Sequence, residues 1–172
     1  MSKLTQYGHA FQIKALAILI TDRDFLQQIA DIVSPDYFDN DAGKWIMRKT
    51  LKYFNEYKSV PTMEVFKVEV EGINQELQSV AVKDLLKQAY KASEATDLNY
   101  VKDTFLDFCK NQTLKNALIK SVDLLELGDY DDIRNLIDRA LKAGTERDIG
   151  HEYFTELEDR FREEARNTVA TP

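Results

Sequence analysis

This chain has few of the residues that staple or punctuate a fold: one cysteine, three prolines, six glycines and two histidines in 172 residues. Cys109 alone cannot form an internal disulfide, which fits a reducing compartment. Stability must then come from apolar burial, and a chain of this length can bury roughly two-thirds of its unfolded surface. So little Gly and Pro disfavours a turn-rich β architecture and favours long, uninterrupted helices. The longest apolar run, Ala15 to Ile20, falls far short of the ~20 residues of a membrane span. The opening MSKLTQYGHAF has none of the three regions of a secretory signal. A cytoplasmic location is expected. Basic charge is also scarce: 23 Lys and Arg against 30 Asp and Glu give a net charge of −7. That balance argues against tight, sequence-independent binding to nucleic acid, which needs clustered cations to displace counterions.

The motifs of catalysis are missing too. The one Gly-Lys pair, Gly43-Lys44, is followed by Trp45, with Phe38 where a P-loop needs its first glycine. The stretch DNDAGK (39–44) has Asp39 and Asp41 at calcium-loop spacing. It then places Lys44 where the turn glycine belongs and Thr50 where the closing glutamate belongs, so it reads as a helix cap. His9 and His151 stand at opposite ends of the chain, with no ligand neighbours at metal spacing. Cys109 sits in an apolar helix and reads as a buried, inert thiol. No catalytic, cofactor-binding or metal-binding residue is assigned, and no enzymatic activity is expected of this chain by itself.

What the sequence does contain is helical patterning, and the expected fold is all-α. FQIKALAILI (11–20) is apolar nearly all round, as a helix in the middle of a core would be. Phe25, Leu26, Ile29, Ile32 and Val33 follow a cap at Thr21-Asp22 and end at Ser34-Pro35. Asp39, Asn40 and Asp41 offer caps for a helix with Trp45, Met47, Leu51, Phe54 and Tyr57 on one face. After Val60-Pro61, Thr62 starts MEVFKVEVE, whose Val65, Val68, Val70 alternation resembles a strand but whose entry favours a helix. Leu77, Val80, Ala81, Leu85 and Tyr90 suggest the inward face of the next helix. A polar stretch at 92–97 precedes a long helix from about 98 to 127. Gly128-Asp129 then turn the chain, and a second arm with Ile133, Leu136, Ile137, Ala140 and Leu141 runs to Gly144. The resulting division is a helical globular head (1–97), a helical hairpin (98–144), and a linker with an amphipathic tail helix (145–172) bearing Phe154, Leu157, Phe161 and Ala165.

The hairpin arms are unequal. In the first, Val101, Phe105, Phe108, Ile119 and Val122 point one way, and Leu106, Leu114, Ala117, Leu118, Leu124 and Leu125 another. The second has one stripe. Two antiparallel helices bury one stripe each against the other, so the surplus must meet the head or another chain.

Three stretches together resemble the N-terminal part of DnaB-type replicative helicases, particularly phage ones. They are ALAILITDRDFLQQIADIVSPDYF, WIMRKTLKYFNEYKSVPTMEVF and FLDFCKNQTLKNALIKSVDLLELGDYDDIRNLIDRALKAG, with RDIGHEYFTELEDRF similar to the lead-in to that family's ATPase domain. The resemblance rests on element order across about 10–170, with no catalytic motif. It implies a non-catalytic domain whose hairpins pair between subunits into the collar of a hexameric ring, and a collar that docks primase. Val101, Phe105, Phe108, Leu118, Val122, Ile133 and Ile137 are then expected as hairpin core or subunit contacts. Phe154, Leu157 and Phe161 would be the docking face of a linker helix. ATP and Mg are implied only for a motor domain that this sequence does not contain, and host cytoplasm would be the setting for a phage protein. A different class of reading is a stand-alone adaptor or loader that grips a replication partner with its tail helix. Lys44, Arg48, Lys49, Lys52 and Lys58, around Trp45, are the residues that could touch DNA phosphates; a solvated helix face is the expected role.

Overall fold

The computed structural model describes residues 3–145 and 160–163 of the chain. It is all-helical, as expected. Among residues 3–145, seven α-helices run in order: α1 (His9–Thr21), α2 (Arg23–Ile29), α3 (Asp41–Tyr57), α4 (Met63–Glu71), α5 (Glu76–Ala92), α6 (Leu98–Glu126) and α7 (Tyr130–Lys142), with short 3-10 turns at Leu4–Tyr7 and Pro35–Tyr37.

Helix α1 lies at the centre and packs against α2, α3, α5 and α6. Six consecutive residues, Ala15 to Ile20, are buried whichever way they point, which explains a sequence with no polar face. The polar Gln12 is buried on it as well. Its amide donates to Asp39 Oδ2 at 2.7 Å and accepts from the Asp39 backbone N–H at 3.2 Å, so the burial leaves no unmet polar group. Thr5 also donates to Asp39. These two donors hold the Asp39 carboxyl below its ordinary range, and the residue ties α1 to the start of α3.

Caps fix the helix starts. Asn40 Oδ1 accepts from the Gly43 N–H at 2.6 Å, and Thr62 Oγ1 from the Val65 N–H at 3.3 Å. The latter settles the strand-like MEVFKVEVE segment as helix: Phe66 and Val70, four apart, are buried, and Val68 is exposed. Asp22 caps α2 by accepting from the Phe25 N–H at 3.0 Å, and also pairs with Lys102 of α6 at 2.5 Å. Burial alone would raise the Asp22 carboxyl; Lys102 and the cap N–H outweigh it and hold the group below its ordinary value. A carboxyl depressed in the folded state stabilises above its unfolded pKa and stops doing so as pH falls through the folded one. Asp22→Ala is therefore expected to cost about 1–2 kcal/mol at pH 7. In urea unfolding, its gap from the unmodified protein should close as pH drops below the ordinary aspartate pKa of 3.8.

Three expectations need correction. α2 ends at Ile29, not at Ser34; the N–H groups of Ile32 and Val33 both return to the Ile29 carbonyl in a turn that still buries these side chains. On α3 the buried line is Ala42, Ile46, Met47, Thr50 and Phe54, whereas Trp45 and Leu51 are half-buried and Tyr57 is exposed. On α5 the inward residues are Val82, Leu85, Leu86 and Ala89. Leu77, Val80 and Ala81 face out, with Leu77 87% exposed. This helix carries two apolar lines, and α1 and α3, which pack against it, take the second.

The core does not stop at the polar stretch 92–97. Val101, Phe105, Phe108 and Cys109 of α6 belong to the same buried cluster as α1 and α2, and Leu106 and Ala143 pack against it. The first half of the hairpin is thus part of the head's interior.

Candidate functional site

A helix of 29 residues is about 43 Å long. That is longer than the head can cover, and the consequence is legible side chain by side chain. On the head-facing line of α6, Val101, Phe105 and Phe108 are 2%, 0% and 3% exposed. Phe105 sits between Phe25 and Phe38 at ring-centroid distances of 6.5 and 6.4 Å. Phe108 packs nearly perpendicular to the Tyr37 and Tyr7 rings at centroid distances of 5.1 and 6.0 Å. Burial pushes the Tyr37 phenol up to about 12 and raises the Cys109 thiol far above its ordinary value; that thiol is a packed apolar group. After Gln112 the head ends, and Ile119 and Val122, which continue the same line, are each 58% exposed.

The two arms cover one further line. Ala117 is buried on α6, with Leu114, Ser121 and Leu124 partly buried on the same side; on α7 Ala140 is buried, with Ile133, Leu136 and Ile137 partly buried. These are the facing surfaces of the hairpin. Asp129 caps α7 by accepting from the Asp132 N–H at 3.4 Å, and a hydrogen bond between the Asp129 and Asp132 side chains, with the Asp129 charge, raises the Asp132 carboxyl. About 100° round α6 from Ala117 lies a line that neither α7 nor the head reaches: Leu118, Val122 and Leu125, with Ile119 beside them, are 54% to 58% exposed. Leu127 and Tyr130, at the tip, are exposed as well.

The seven expected hairpin residues thus divide three ways. Val101, Phe105 and Phe108 are interior to their own chain and unavailable to a partner, because the head folds over them. Ile133 and Ile137 pack between the arms. Leu118 and Val122 are on the surface. Ile119 and Leu125, one and three residues from these, complete the exposed stripe; the helical spacing 118, 122, 125 marked it in the sequence. Phe154 and Leu157 lie outside the described residues, and Phe161 is exposed in a helical turn at 160–163.

The base of the hairpin is fastened at Gly144. Its backbone is left-handed (φ +73°), its carbonyl accepts from Gln28 Nε2 at 3.0 Å, and a Cβ there would stand 2.6 Å from Ile32 Cδ1. The turn at the other end uses left-handed Gly128 (φ +70°), with open space around it. The hairpin is anchored at its base, and its tip is exposed among the described residues.

The basic residues of α3 do not form one cationic face. Lys49 pairs with Glu69 at 2.6 Å and lies over the Trp45 ring; Lys58, at the left-handed end of α3, lies over Phe54. Lys44 sits near Asp39. Arg48 borders a groove of about 540 Å³ between α1, α3 and α5, where His9, Asp41 and Gln75 also stand, and Lys52 borders a second groove beside Glu56 and Glu64. Among the described residues no three or more His, Cys, Asp or Glu side chains are grouped as metal ligands, and none of the described helices is long and apolar enough to cross a membrane.

No protein-family model, curated protein or solved structure matches this chain.

Proposed function

We propose that this chain is a non-catalytic oligomerisation module: the N-terminal, primase-docking part of a DnaB-like replicative helicase, paired to a second copy through the distal half of its hairpin. The observation that carries the reading is the stripe Leu118, Ile119, Val122 and Leu125, exposed among the described residues on a hairpin fastened at its base. A helical head followed by a long hairpin is also the element order that the resemblance implies.

Each stripe side chain still has about half its surface to bury, and full burial of such a residue is worth about 1.5–3 kcal/mol. Eight of them across a pair give roughly 6–12 kcal/mol, similar in size to the cost of association. An isolated pair is therefore expected to be weak, with a dissociation constant on the order of 10 μM to 1 mM, and to be strengthened where a ring holds many pairs together.

The test is a small-angle scattering series up to ~1 mM on the unmodified chain and on Val122→Asp. The unmodified chain should gain mass with concentration. Val122→Asp should stay monomeric to the top of the series, with its unfolding free energy within about 0.5 kcal/mol of the unmodified protein, because the position is on the surface. A chain that stays monomeric throughout, unaffected by the substitution, would sink the reading.

A further inference from the structure

We infer that the two copies pair antiparallel, about a dyad near Ser121, and that Lys115 and Glu126 set this register. The inference rests on the hairpin-pairing reading above and goes on to fix its orientation. Lys115 and Glu126 are exposed. They are eleven residues apart, about 16 Å along the axis and within about 20° of each other round the helix. They therefore close the stripe at its two axial ends, both on the Ile119 side of Val122, with opposite charge. Among the described residues neither is engaged in an ion pair within the chain.

A dyad across the middle of the stripe turns this arrangement into two contacts. Lys115 of each copy faces Glu126 of the other, Ile119 faces Val122, and Leu118 lies two residues, about 3 Å along the axis, from Leu125. Such an isologous interface is closed, using the same patch on both copies. A parallel pair in register would set Lys115 level with Lys115 and Glu126 level with Glu126, like charge beside like. Sliding the antiparallel pair by one helical turn would carry Lys115 past Glu126 and unpair Ile119 from Val122. Charge and apolar pattern thus select one orientation and one offset.

The experiment compares Lys115→Glu, Glu126→Lys and the double variant, which keeps the net charge unchanged, in sedimentation equilibrium at low salt. Each single variant creates two like-charge contacts per pair and should weaken association about 3- to 10-fold. The double variant restores both contacts with reversed sign and should return to within about 2-fold of the unmodified chain, the differences shrinking in 1 M salt as charges are screened. If Val122→Asp abolishes pairing while the charge variants leave it unchanged, or the double variant is as weak as the singles, the register is wrong and the hairpin-pairing reading stands. If the unmodified chain does not associate at all, both fall.

Discussion

Phe105→Ala is expected to destabilise the protein by about 3–5 kcal/mol, although the residue lies on the hairpin rather than in the head as the sequence divides them. Phe105 is fully buried, between Phe25 of α2 and Phe38 before α3. Truncation removes a ring that joins three segments. The cavity cannot collapse easily, because α6 continues rigidly on both sides of it. A loss of this size is a large share of the 5–15 kcal/mol of a typical domain. It should appear in urea unfolding as a midpoint lowered by roughly 2 M with little change in slope. A subunit contact would behave in the opposite way, changing association and leaving monomer stability alone.

Gly144→Ala is expected to cost about 2–5 kcal/mol, by two separable routes. An L-residue in the left-handed conformation costs about 1–2 kcal/mol. The new Cβ would also stand 2.6 Å from Ile32 Cδ1 and 3.3 Å from Leu106 Cδ1 and Lys110 Cε, and overpacking of this kind costs about 1–3 kcal/mol. Ile32 is itself buried, so it has little room to retreat. Gly128→Ala isolates the first route, since its backbone is also left-handed and nothing lies within 4 Å of its Cβ position; it should cost about 1–2 kcal/mol only. Thermal unfolding of the two variants side by side measures the difference. Equal losses would show that the approach of Gly144 to the head adds nothing.

How much of this was readable beforehand depended on whether the deciding contacts were local. α1 was legible because a helix with no polar face has one place to go. The caps at Asp22, Asn40 and Thr62 were legible because a cap involves residues three apart. α5 was misread because its two apolar lines are equivalent until α1 and α3 are in place. Thr50 and Gln12, buried polar residues on otherwise apolar faces, are satisfied by partners that periodicity does not show: the Ile46 carbonyl for one and Asp39 for the other.

The hairpin shows the same division. The continuous line from Val101 to Val122 was visible as a pattern, and so was the surplus of apolar surface on the first arm. The point along that line where the head ends was not visible, because it is set by Phe25, Phe38 and Tyr37, remote in sequence. Gly144 read as a helix terminator; that its carbonyl meets Gln28, 116 residues away, is a property of the folded chain alone. The seven residues that one pattern grouped together therefore serve three purposes: head interior, hairpin seam and exposed stripe.

The most direct measurement is hydroxyl-radical footprinting of the unmodified chain at ~5 μM and at ~1 mM, either side of the expected dissociation range. Phe105 and Phe108 should be protected at both concentrations, because their own head covers them. Leu118, Ile119, Val122 and Leu125 should react freely at the lower concentration and become protected at the higher. Equal reactivity of the stripe at both concentrations would contradict pairing through the hairpin, and protection already present at ~5 μM would show that the chain covers the stripe by itself.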